Sequence, residues 1–151
     1  MKFLVKTLKW LMSGRERRAL REAPRQTAAT LDGAPIGRLL VLCHGNIFRS
    51  PFVSTYLAML LRERGLDIDI ETAGFHPHPG RPSPASYVEQ CLALGVDLSE
   101  HRSREVNVDM TREADAIVIM DARNWMLLSR LDPGAGPDGR RGNGGHGSLG
   151  A

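Results

Sequence analysis

The sequence predicts an α/β protein built as a three-layer, doubly wound parallel sheet, and three observations lead there. Leu39-Leu40-Val41-Leu42 and Ala116-Ile117-Val118-Ile119-Met120 are continuously apolar, as strands covered on both faces are. Segments of helical period follow both runs, and a third, alternating segment at Asp67 to Thr72 lies between them. Strand, helix and strand in alternation imply right-handed crossovers, which put ligand sites at the C-terminal ends of the strands.

Residues 1–36 read as a basic extension and linker. Leu4, Leu8, Leu11 and Met12 fall on one side of a helix with Lys2, Lys6 and Lys9 mostly opposite, and Pro24 to Pro35 is rich in Ala, Thr and Gly. Such a helix suits contact with an anionic membrane surface or partner, or a loosely docked arm. The α/β domain is expected over 37–131. After the first strand, a helix is predicted from Ser50 to Arg64, with Ser50 as N-cap, Pro51 at the first helical position and Gly65 as terminator. The second strand, Asp67 to Thr72, leads into a Pro-, Gly- and His-rich loop from Gly74 to Pro82. Ser83-Pro84 then supplies start signals for a helix running to Leu94 and stopping at Gly95. The strand from Ala116 to Met120 and a helix from Ala122 to Leu131 follow. Residues 132–151 hold eight of the sixteen glycines and one large aliphatic residue, Leu149, and are read as a disordered tail.

With 151 residues, 42% hydrophobic and 25% charged, the chain is sized for one soluble domain. Its net charge of +3 conceals a balance of +6 over residues 1–30 and −3 over the rest. Affinity for an anion must therefore come from local geometry in the domain, and no nucleic-acid partner is expected. Two cysteines are too few for a disulfide scaffold and suit a reducing compartment. Cys91 shares an apolar helical face with Tyr87, Val88 and Leu92 and reads as core. No apolar run near the N-terminus exceeds three residues, so neither signal peptide nor membrane span is expected, and the cytoplasm is the default location.

The chemistry concentrates in Cys43-His44-Gly45-Asn46-Ile47-Phe48-Arg49-Ser50-Pro51. A cysteine and an arginine separated by five residues bracket a loop short enough to curl around one tetrahedral anion. Backbone N–H groups of such a curl and the positive end of the following helix favour a phosphate dianion, and the same surroundings favour Cys43 as a thiolate nucleophile. Arg49 offers a planar fork for two phosphate oxygens. Gly45 and Asn46 are residue types that tolerate left-handed backbone, and the Ser50 hydroxyl is free to donate toward the Cys43 sulfur. His76 and His78 stand on the loop beside the expected pocket mouth. No carboxylate or cysteine cluster accompanies them, so no metal is expected.

These residues resemble the phosphate loop of the low-molecular-weight protein tyrosine phosphatases, Cys-x-Gly-Asn-x-Cys-Arg-Ser-Pro, with Phe48 where many members place a second cysteine. Glu71-Thr72-Ala73-Gly74 and His101-Arg102-Ser103-Arg104 extend the similarity over about residues 38 to 131. The resemblance implies a cofactor-free phosphatase acting on phosphotyrosine-containing proteins or small aryl phosphates. It makes Cys43 the nucleophile and Arg49 the phosphate clamp. His44, Gly45, Asn46, Ile47, Phe48 and Ser50 line the anion site, and Thr72 and His101 support the loop, His101 through a hydrogen bond to Asn46. Members also carry a further strand, a closing helix and, between them, an Asp-Pro whose aspartate protonates the leaving phenol. Asp132-Pro133 has the dipeptide but follows Asp121 by 11 residues with no strand between. Asp132 is thus the candidate acid, and the sheet is expected to lack its last strand and helix, the end being truncated or replaced. Two other readings stay open: a phosphate-binding module or inactive remnant without the acid, and a thiol-dependent arsenate reductase, for which Phe48 and a core Cys91 leave no relay.

Overall fold

A computed structural model describes residues 36–135. The expected basic helix, its linker up to residue 35 and the glycine-rich segment from 136 onward lie outside the described residues. The elements are β1 (Arg38–Cys43), α1 (Arg49–Glu63), β2 (Asp69–Gly74), α2 (Ala85–Leu92), α3 (Val108–Glu113), β3 (Ala116–Ile119) and α4 (Ala122–Leu131), closed by a 3₁₀ turn at Pro133–Ala135. Among the described residues the sheet has three strands in the order β2-β1-β3, all parallel. Placing the most apolar run in the middle follows from its covering on both faces. Leu39, Leu40, Val41 and Leu42 are buried, whereas every residue of β3 is only half-buried.

Two apolar clusters fix the helices. Leu40, Leu42, Ala73, Val106, Ala114 and Leu128 join the sheet to α4. Cys91, Val96 and Leu98 join α2 and the turn after it to Phe52 and Met59 of α1, so Cys91 sits in the core. Gly65 and Gly95 both adopt positive φ, +69° and +78°, the left-handed termini that glycine tolerates best.

Several boundaries differ from the sequence expectation. The second strand starts at Asp69 and continues through Gly74, because its register runs to Cys43↔Gly74. Helix α2 ends at Leu92, two residues early, in turns closed by Leu94 and Gly95 N–H groups. Neither serine caps its helix through the side chain. The N-cap positions are Phe48 and Pro84, and Ser50 lies inside α1 with its hydroxyl engaged elsewhere. Helix α3 was not foreseen. It spans six residues and is set by Asn107, whose side chain accepts from the Met110 N–H.

Candidate active site

Cys43 closes the central strand, and the chain then turns through five residues before α1 opens at Arg49. Asn46 makes that turn possible. It adopts φ of +50°, the left-handed region that asparagine visits more readily than most residues, whereas Gly45 does not take positive φ. Gly74 gives the turn room. A Cβ there would meet the His44 carbonyl oxygen at 2.8 Å and the Asn46 nitrogen at 2.9 Å, so the end of β2 admits only glycine against the loop.

Asn46 is wholly buried and organises the surroundings. Its side-chain amide donates to Ser50 Oγ at 2.9 Å and to Thr72 Oγ1 at 2.8 Å, and its Oδ1 accepts from the Arg104 N–H at 2.7 Å. Thr72 passes its own hydroxyl hydrogen to the Val41 carbonyl, 3.1 Å away. His101 Nε2 lies 2.7 Å from the Asn46 carbonyl oxygen. The Asn46 N–H points at Cys43 Sγ, 3.2 Å away, and Ser50 Oγ stands 3.0 Å from the same sulfur. Since Ser50 already accepts from Asn46, its single hydrogen is free for the sulfur. Two donors thus converge on Sγ.

Cys43, His44, Gly45, Ile47, Phe48 and Arg49 line one cavity of about 280 Å³ together with His76 and Arg81. Arg81, missed from the sequence, donates to the Gly45 carbonyl at 2.7 Å and to the His78 carbonyl at 2.9 Å, tying the His-rich loop to the loop of residues 44–48. Partial withdrawal from water, then the charge of Arg81, hold His76 below the ordinary imidazole range. A larger cavity of about 470 Å³ lies at the opposite end of β1, lined by Gly37, Leu61, Leu66 and Ile70 among others. No cysteine, serine or histidine lines it.

Arg49 donates to Asp121 Oδ2 at 2.6 Å. Asp121 caps α4 through its other oxygen, which accepts from the Asn124 N–H at 2.8 Å. Partial burial pushes the Asp121 carboxyl up, but the Arg49 hydrogen bond and the α4 amides outweigh it and hold the group below its ordinary value. Asp121 was visible in the sequence only as the residue before a helix. Its reach to Arg49, 72 positions away, needs the fold.

Asp132 is not among the residues lining the cavity. It is the C-cap of α4, is buried, accepts from Thr111 Oγ1 at 2.7 Å and accepts from the Gly134 N–H at 3.1 Å. The fold thus brings Cys43, His44, Gly45, Ile47, Phe48, Arg49 and His76 to one cavity, ties Ser50, Thr72 and His101 to Asn46 behind it, and leaves Asp132 and His78 off the cavity lining.

The profile of the family described as low molecular weight phosphotyrosine protein phosphatase matches residues 38–135. The chain is similar to the probable low molecular weight protein-tyrosine-phosphatase EpsP of Ralstonia nicotianae, 36% identical over 98 residues and 65% of each chain. It is also similar to Etp of Escherichia coli K12, 30% identical over 63% of this chain and 62% of that one. Among solved structures, the tyrosine phosphatase AmsI of Erwinia amylovora aligns with a TM-score of 0.62 at 29% identity, over 68% of this chain and 66% of that one. Vibrio vulnificus Wzb in complex with benzylphosphonate aligns at 0.61 and 27%, over 67% and 69%. The chain spans about 65% of the length of EpsP. By profile, by sequence and by the fold that carries Cys43, it belongs to the low molecular weight phosphotyrosine protein phosphatase family.

Proposed function

We propose that the chain hydrolyses phosphate monoesters of phenols, with protein phosphotyrosine as the substrate class, through a cysteinyl-phosphate intermediate. The observation that carries this reading is the pair of donors, Ser50 Oγ at 3.0 Å and the Asn46 N–H at 3.2 Å, aimed at Cys43 Sγ. The thiolate attacks phosphorus in line. An S–P bond forms as the P–O bond to the aryl group breaks, and the electron pair leaves on the phenolate oxygen. Water then attacks phosphorus, gives up a proton and displaces the thiolate, releasing inorganic phosphate. Arg49 and the backbone N–H groups of residues 44 to 49 stabilise the three equatorial oxygens. The benzylphosphonate held by Wzb, an aryl group one carbon from a phosphonate, supports an aryl ester as the ligand class. No metal or cofactor enters these steps. Cys43 and Cys91, both free and buried, suit a reducing location such as the cytoplasm.

Phosphate binding without efficient turnover is the second reading, favoured by the position of Asp132 in the Thr111 and Gly134 hydrogen bonds. Hydrolysis of p-nitrophenyl phosphate, with mass-spectrometric detection of phosphate on Cys43 after acid quench, separates the two. Labelled Cys43 and released nitrophenolate are expected. Tight phosphate binding with neither would establish the binding module.

A further inference from the structure

We infer that Phe48 is a specificity-determining residue, the apolar wall against which the aryl group of the substrate rests. This deepens the phosphatase reading and depends on it. The phosphate loop pattern that the chain resembles has a thiol at this position. Here a phenyl ring stands there, 43% exposed, lining the same cavity as Cys43 and directly preceding Arg49.

The ring stands half in water beside the buried Cys43, open to contact by whatever enters the cavity. The rest of the cavity lining says what that is. Ile47 is the other apolar neighbour, and His44, His76 and Arg81 make the remainder polar. A flat hydrocarbon group attached to a phosphate on Cys43 meets Ile47 and Phe48 as its apolar contacts.

The ring is also held in place. Tyr87 meets it edge-on at a centroid separation of 4.9 Å and an interplanar angle of 64°, within the range of favourable aromatic pairs. The Tyr87 hydroxyl donates to the Phe48 carbonyl at 3.1 Å. Tyr87 in turn packs into the Cys91, Val96 and Leu98 cluster, so Phe48 is braced from the core by a rigid neighbour and presents its free face to solvent. A side chain positioned this way loses little freedom when a ligand stacks on it.

The test compares benzylphosphonate with methylphosphonate by calorimetry on the full chain. The two share the anionic head and differ by the phenyl group, and neither can be hydrolysed. Phe48→Ala should reduce the ratio of the two affinities by about tenfold, as expected for one aromatic contact. Phe48→Tyr should restore the ratio. Tyr87→Phe, which keeps the edge contact and loses the carbonyl anchor, should reduce it by a smaller factor. An unchanged ratio in Phe48→Ala would overturn the inference while leaving the phosphatase reading intact. Failure of the unsubstituted chain to bind either phosphonate would remove both.

Discussion

The cradle around Asn46, beside Cys43, and the shoulder around Asp132 are both buried, polar and hydrogen-bonded, yet they are built for different ends. In the cradle, Asn46 commits both amide hydrogens, its carbonyl oxygen and its backbone N–H to Ser50, Thr72, Arg104 and the Cys43 sulfur. In the shoulder, Asp132 ties the C-terminus of α4 to Thr111 of α3 and to the Gly134 amide. One network ends on the Cys43 sulfur, which lines a cavity; the other joins two helices and a turn. Burial and satisfied hydrogen bonding do not by themselves identify a functional carboxylate. The direction in which the network points does.

The sharpest way to break the contrast is to remove what the cradle points at. Cys43→Ser should lower p-nitrophenyl phosphate turnover by more than ~10⁴-fold and still bind phosphate, because the loop amides and Arg49 are untouched. Arg49→Lys should lose both, since an ammonium cannot make the bidentate contact. Wild-type hydrolysis by Cys43→Ser would remove the nucleophile assignment.

Next in size is Asn46→Ala. It leaves the Arg104 N–H, Thr72 and Ser50 without their partner in a dry site and offers φ of +50° to a residue that tolerates it poorly. A loss of about 1–3 kcal/mol in unfolding free energy is expected, with turnover reduced by at least about tenfold. Denaturant melts and steady-state rates measure the two. Full stability with lost activity would mean that Asn46 acts on the substrate and not on the loop.

Asp121 sits between the two regions, capping α4 while accepting from Arg49. Its carboxyl is held below its ordinary value, so its stabilising contribution is fully present above the unfolded pKa of about 3.9 and fades as pH falls through the lower folded value. Asp121→Asn keeps the cap acceptor and drops the charge. The melting-temperature gap between the two proteins should stay constant from pH 7 to about pH 4.5 and close below about pH 4. A gap that closes by pH 6 would show that Arg49 does not hold the carboxylate.

What the sequence made readable follows from how local each signal is. The apolar run of β1, the glycine termini after α1 and α2 and the Cys-to-Arg spacing are local, and the structure contains them within a residue or two. Thr72 and His101 entered through the resemblance to known phosphatases, because nothing within their own segments ties them to Asn46. Of the two roles its position suggests for Ser50, the structure keeps the contact with the Cys43 sulfur at 3.0 Å and not the cap. The signal of a polar residue at a helix start does not distinguish an N-cap from a hydroxyl turned inward to a sulfur. Arg81 and Asp121 escaped because their partners, Gly45 and Arg49, are 36 and 72 residues away. The tight contact at Gly74 likewise exists only once β2 lies beside the loop. Helix α3 is too short to establish a period.

The smallest effect on turnover, and the one that decides the contrast, belongs to Asp132. If its carboxylate served as general acid, removing it would cost about 10²–10⁴ in rate, and more for phosphotyrosine than for p-nitrophenyl phosphate. The phenolate of tyrosine, with a pKa near 10, leaves badly without a proton, while a nitrophenolate leaves readily. The observed bonds lead to the opposite expectation. Asp132→Asn should leave both rates unchanged, because asparagine still accepts from Thr111. Asp132→Ala should lower stability by about 1 kcal/mol, mainly through the Gly134 amide that loses its acceptor, since the Thr111 hydroxyl still donates to the Val108 carbonyl at 2.7 Å, again without a selective loss on phosphotyrosine. In both proteins p-nitrophenyl phosphate should turn over much faster than phosphotyrosine. A hundredfold, phosphotyrosine-selective loss in Asp132→Asn would make Asp132 the acid, and the shoulder would then belong to the site.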